Sequence, residues 1–175
     1  MVLAEMADRH SWIKGAELGV FQGKTYIHLL NACPALSMVG VDIWEPRPEM
    51  EALRDVGGRS YEDRDLEAMY QDVVKATAHF GDRSRLIRQT TQSAAALFPN
   101  RSFDFVFIDA DHTLAGVVQD ITLWAPKVAL GGWVMGHDYQ AIYPGVREAV
   151  DTLLGDVEKF DDSVWGVPVH ETAFG

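Results

Sequence analysis

The sequence predicts an α/β fold built on a mostly parallel sheet that ends in an antiparallel hairpin. Three observations carry that expectation. Short apolar runs alternate with helical patterns along the chain, the best run, "FDFVFI" at 103–108, is apolar at nearly every residue, and each of five runs ends in polar groups. A strand apolar on both faces is one covered by helices on both sides. Strand and helix in alternation then require right-handed crossovers.

The first strand, Gly15 to Leu18, leads through a glycine turn into a helix at about Lys24 to Asn31. The second, Ser37 to Asp42, is followed by a loop at 45–60 with two prolines and the pair Gly57 and Gly58; it is either a lid or a surface insertion. A helix from Glu62 to Phe80 is the best defined, because Leu66, Met69, Tyr70, Val73, Val74, Thr77 and Phe80 follow the helical period and Gly81 terminates it. The third strand, Arg85 to Gln89, precedes a short helix at Ala94 to Phe98. The fourth, Phe103 to Asp109, precedes one at Leu114 to Trp124. Gly131 and Gly132 form a turn before the fifth strand, Trp133 to His137, and a helix follows at Gly145 to Leu154. Val157 to Phe160 and Val164 to Val169 are spaced to pair as the terminal hairpin.

A chain of 175 residues fits a single domain over 1–175 and can bury a core without disulfides. A net charge of −11 with no basic patch argues against a nucleic-acid partner. Cys33, the lone cysteine, fits a reducing compartment and reads as a small buried residue on a helix. "MVLAEMADRH" is too polar for a secretion signal and no apolar run approaches a membrane span, so a cytoplasmic protein is expected.

In an open parallel sheet the carboxyl ends of the strands share one edge, where ligands bind. The five strands bring Glu17, Gly19 and Gly23, then Asp42, then Thr90, Thr91 and Gln92, then Asp109, Asp111 and His112, then His137, Asp138 and Tyr139. The stretch "GAELGVFQGKT" has the strand, glycine turn and helix start of a nucleotide site. Counting from Gly19, however, the second and third glycine positions of a dinucleotide fingerprint hold Phe21 and Lys24. A pyrophosphate is therefore disfavoured, and with it a dehydrogenase. A nucleoside without phosphates needs only close backbone approach at Gly19 and Gly23, a carboxylate such as Glu17 for its amino group, and Asp42 for two ribose hydroxyls. These features favour S-adenosylmethionine.

E-x-G-x-x-x-G-x-T at Glu17 to Thr25, "GVDIWEP", "TTQS", "FDFVFIDADH" and "GGWVMGHDY" together resemble class I S-adenosylmethionine-dependent methyltransferases, from Gly15 to about Val169. Within them the chain is most similar to the catechol, caffeoyl-CoA and macrolide-sugar O-methyltransferase group. The resemblance implies a Rossmann-like three-layer sandwich with a seven-stranded sheet of order 3-2-1-4-5-7-6. It implies Glu17 toward the methionine part, Asp42 on the ribose, and Thr91 and Gln92 near the adenine. Trp44 either covers the adenine face or is a core aromatic.

A hydroxyl acceptor must lose a proton, to a metal-activated site or to a side-chain base. The metal ligands of the group match Asp109, His137 and Asp138, where His137 departs from the usual acidic or amide residue and weakens the case for magnesium. The base of the group matches His112, which stands three residues past Asp109. Asp111 is either part of that catalytic group or a cap for the next helix. Asp120 and Tyr143 read as a solvated helix residue and a packing aromatic; His10, His28, His79 and His170 read as surface or packing residues. The expected activity is O-methylation of a small hydroxylated metabolite or sugar, with Tyr61, Tyr139 and the 45–60 loop, or a second subunit, recognising the acceptor. Relatives suggest a homodimer. A metal-independent methyltransferase, with His112 or His137 as base, and a cofactor-binding module without turnover are the alternatives.

Overall fold

Five of the six side chains at 103–108 are apolar, and the sixth, Asp104, accepts from Ile13 N and Lys14 N at the start of the strand, so this segment is driven to the middle of the sheet. In the computed structural model, which describes residues 1–46 and 65–170, β1 is Lys14–Leu18, β2 Ser37–Asp42, β3 Ser84–Arg88, β4 Phe103–Ile108, β5 Val128–Gly136, β6 Glu158–Lys159 and β7 Trp165–Pro168. They form one sheet of order β3-β2-β1-β4-β5-β7-β6. The first five pair in parallel, and β7 runs antiparallel to both β5 and β6. The expected strand order and hairpin are both present. The order reverses between β1 and β4, which makes the gap beyond their carboxyl ends the place for a ligand.

Helices cover both faces. Val106 and Ile108 point into a core with α4 (Thr91–Ala95), α5 (Leu114–Trp124) and α6 (Pro144–Leu153). Phe105 and Phe107 point the other way, toward α1 (Val2–Arg9), α2 (Lys24–Ala32) and α3 (Leu66–Thr77). Strict alternation would put Phe103 with Phe105, yet it packs with Val106. The cause is a register shift against β5 between Phe103 and Phe105, where the partners jump from Val128 to Trp133. Gly131, at φ 80°, supplies the left-handed residue in that stretch. The glycine pair thus lies inside β5, which begins five residues before the expected Trp133.

Other boundaries moved for local reasons. The fourth helix starts at Thr91 rather than Ala94, because the Thr90 hydroxyl accepts from Ser93 N at 3.1 Å and caps it. Asp65 does the same for α3 through Ala68 N at 2.8 Å. Helix α1 was not expected from sequence; Leu3, Met6 and Ala7 bury one narrow stripe of it. Cys33 sits at the end of α2, half-buried, with burial and Asp8 raising its thiol pKa. Beyond Pro46 the 45–60 loop, Tyr61 and the start of the expected Glu62 helix lie outside the described residues. No helix among the described residues is long and apolar enough to cross a membrane.

Candidate active site

Backbone hydrogen bonds carry the sheet past its last strand residues, so the site is built on rigid ends. Gly19 N donates to Val41 O at 2.8 Å, Asp109 N to Leu18 O at 2.8 Å, His137 N to Ile108 O at 3.1 Å and Gln89 N to Asp42 O at 3.1 Å. Gly19 has φ 88°, and a Cβ there would overlap the carbonyl of Asp109. Only glycine lets the β1 turn lie against the end of β4 this closely.

Along this edge opens a cavity of about 160 Å³, walled by Gly19, Val41, Asp42 and Ile43, by Gln89 to Thr91, and by Ala110, Asp111, Gly116, Gln119 and Asp120. Gly19, Asp42, Thr91 and Asp111 are thereby brought together as the strand-end reading expects, while Asp109 stands behind Gly19, off the wall. Glu17 does not line the cavity; it is 2 % exposed, with Oε2 lacking a hydrogen-bond partner. Burial first, then the nearby charges of Asp109 and Asp42, push its pKa well above the usual carboxylate range.

Other expected residues fall elsewhere. Gln92 is exposed and off the wall, Thr25 stands on α2, and Gly23 is its N-cap at φ 72°. Trp44 does not cover the cavity. Its ring is 2 % exposed in the second core and meets Tyr70 at 4.8 Å, because the chain turns at φ 46° there and swings the indole inward. Asp120 corrects the solvated-helix expectation: it is 1 % exposed and lines the cavity. Residues 116, 119 and 120 share one face of α5, and a sequence without that helix docked gives no sign of which face it is.

Toward β5 the edge becomes a cluster of two histidines and two aspartates. His112 Nε2 lies 2.7 Å from Asp138 Oδ2 and 3.5 Å from Asp109 Oδ1; His137 Nδ1 lies 3.3 Å from Asp138 Oδ1 and 3.8 Å from Asp109 Oδ1. The His112 contacts are ion pairs without an aligned hydrogen bond. Burial opposes the imidazolium at His112, but Asp109 and Asp138 outweigh it and raise its pKa to about 9. His137 is raised chiefly by Asp138. For Asp138, burial is overcome by both histidines, which hold it below the usual range; for Asp109 burial wins and the pKa rises. Asp138 is itself left-handed at φ 58° and accepts from Gln140 Nε2 at 2.9 Å. Such strain at a ligand edge is retained when the surroundings over-determine it.

Asp111 turns from this cluster. Its Oδ1 accepts from Thr113 N at 2.8 Å, and Thr113 rather than Asp111 caps α5 by accepting from Gly116 N at 3.1 Å. Tyr143, the packing aromatic expected, lies against the core and meets the His112 ring tilted, at 4.8 Å and 32°. Tyr139 donates to Asp151 Oδ1 at 2.6 Å, which ties the segment after β5 to α6.

The family described as "Methyltransferase domain" matches residues 16–139, which span β1 through the end of β5 and every residue of this edge. The chain belongs to that family. Among solved structures, this methyltransferase-family chain superposes on the SAH-bound methyltransferase PaMTH1 of Podospora anserina with a TM-score of 0.66 and 13% identity, over 97% of this chain and 77% of that one. With the O-methyltransferase TomG of Streptomyces achromogenes, solved in complex with SAM, the TM-score is 0.62 at 14% identity, over 96% of this chain and 78% of that one. At such identities the likeness is one of fold. A curated relative, the uncharacterized protein R132 of Acanthamoeba polyphaga mimivirus, is 24% identical over 149 residues, 81% of this chain. The methyltransferase-family chain covers 59% of that protein.

Proposed function

We propose that the chain is an S-adenosylmethionine-dependent methyltransferase that O-methylates a small hydroxylated metabolite or sugar. One observation carries this reading: the cavity and the hollow beside the His–Asp cluster adjoin along Ala110 and Asp111, with the Asp109 backbone against Gly19, so a methyl donor in the first would point at an acceptor on the second. Asp42 would take the ribose hydroxyls, Glu17 the methionine ammonium, and the 89–91 segment the adenine. Solved neighbours that carry SAM or SAH on the same fold support the choice of cofactor.

Asp109, His137 and Asp138 each offer one ligand atom within 4.8 Å of the others, which fits a divalent cation. Two carboxylates and an imidazole suit manganese, iron or zinc at least as well as magnesium. A cation held there would polarise the acceptor hydroxyl and weaken the grip of the two carboxylates on the His112 proton. His112 then stands where a base is needed, with Tyr143 fixing its ring. A metal-independent His112 base is the second reading; paired with Asp138 at 2.7 Å and raised to about 9, it would lose its proton readily only in alkaline solution.

The test begins with calorimetric titration of S-adenosylhomocysteine into wild type and Asp42→Ala, with magnesium or manganese added or chelated. Binding that Asp42→Ala weakens at least ~30-fold is expected, on the scale of hydrogen bonds to a charged group. Labelled methyl transfer to a panel of catechols and sugars should then need His112, and its loss in chelator decides for the metal. No binding in any condition overturns the cofactor; binding without transfer across the panel points to a module without turnover.

A further inference from the structure

Asp42 ends β2 with both carboxylate oxygens already engaged. Oδ2 accepts from Phe21 N at 2.9 Å and Oδ1 from Trp44 N at 2.8 Å. The ring closes through the indole, whose Nε1 donates to Phe21 O at 2.9 Å. Phe21 and Trp44 are both left-handed, at φ 49° and 46°, a conformation that costs free energy for bulky L-residues. Three hydrogen bonds thus lock two strained residues around one carboxylate. Arg88 braces the far side, with Nε on Ile43 O at 3.2 Å and Nη2 on Trp44 O at 3.4 Å.

A carboxylate oxygen has two acceptor sites. With one on each oxygen taken by a backbone amide, each retains one, and the two that remain match the spacing of two neighbouring hydroxyls. We propose that Trp44 is a positioning residue: its indole N–H closes the Asp42–Phe21–Trp44 ring and thereby orients Asp42 toward a ribose diol in the cavity. This rests on the nucleoside-cofactor reading above. It also explains why a tryptophan next to the pocket is turned away from it. The ring's hydrogen bond, rather than its aromatic face, is what the site uses.

Two measurements test it. Amide and indole hydrogen exchange on the wild-type protein without ligand should show Phe21 N–H and Trp44 Nε1–H protected at least ~100-fold, and rapid exchange at either would overturn the closed ring. This holds whatever the cofactor is, and needs no variant to fold. The second compares S-adenosylhomocysteine with its 2′-deoxy analogue, in wild type and in Trp44→Phe, which keeps the packed ring and loses the N–H. Wild type should prefer the full ribose by about 30-fold, and W44F by less than about threefold. A merely structural role would weaken both ligands equally, and an unchanged ratio in W44F overturns the proposal. Failure of wild type to bind either compound would instead sink the cofactor reading, while exchange still judges the ring.

Discussion

A buried carboxylate with an oxygen left unbonded is costly when ionised, and Glu17, through Oε2, is in that position near the end of β1. Its pKa is raised on folding, so over the window from the ordinary carboxylate range up to the raised value the folded state binds more protons than the unfolded one. Stability from this group is therefore lost as pH rises through that window. Glu17→Gln should raise Tm by roughly 2–8 °C at pH 8, and the gain should shrink toward pH 4. The same change should weaken S-adenosylhomocysteine by about 10- to 100-fold, because the ammonium loses its charged partner. Thermal melts across pH with parallel titrations check both; a Glu17→Gln protein that melts lower at pH 8 and binds normally would make Glu17 a packing group. Residue identities at strand ends were the most legible part of the site. Glu17, Asp42, Asp109, His112, His137 and Asp138 could each be placed because a parallel sheet delivers all its carboxyl ends to one edge. Trp44 and Tyr143 were legible only as core and packing aromatics, which they are, and not in the contacts they make, since a ring's direction depends on a left-handed turn in one case and on a docked helix in the other.

At the scale of elements, the β1–α2 turn joins the cavity closely to the end of β4 that leads into the His–Asp cluster. Gly19 combines a left-handed φ with a Cβ position already filled by the Asp109 carbonyl. Relief would need movement of the β4 end, which also carries His112. Gly19→Ala should cost roughly 3 kcal/mol and lower Tm by roughly 6–12 °C. It should also abolish S-adenosylhomocysteine binding, whereas Gly81→Ala, at a left-handed glycine with open space around it, should lower Tm less and leave binding intact. Differential scanning fluorimetry of the two variants with and without ligand separates the cases; equal loss in both would remove the special role of the Gly19 join. Strand positions were readable because apolar runs of this length have few other fates. The start of β5 was not, because its bulge with β4 is a tertiary register event. Helix α1 was not either, since only Leu3, Met6 and Ala7 of it are buried.

For the whole molecule, the strand order and its reversal between β1 and β4 matter more than any single contact, because they place two chemistries on one edge. That order was available from five motifs in sequence, while the cavity wall on α5 was not, as it arises only when helix and sheet close on each other. A ligand that bridges β1, β2, β3 and α5 must stabilise the fold as a unit, by RT ln(1 + [L]/Kd). At a hundredfold excess of ligand over Kd this is about 2.7 kcal/mol, or a Tm rise of roughly 5–11 °C for a chain of this size. Asp42→Ala should keep about a third of the shift or less at the same ligand concentration, and without ligand should melt below wild type by the cost of its freed amides. Adding a divalent cation alone should give a separate, smaller rise that His137→Ala removes and Asp42→Ala does not, because the two sites draw on different strand ends. Ligand and cation shifts that cannot be separated in this way would mean that the cavity and the His–Asp cluster form one site, and the division of labour proposed for the two halves of the edge would have to be abandoned.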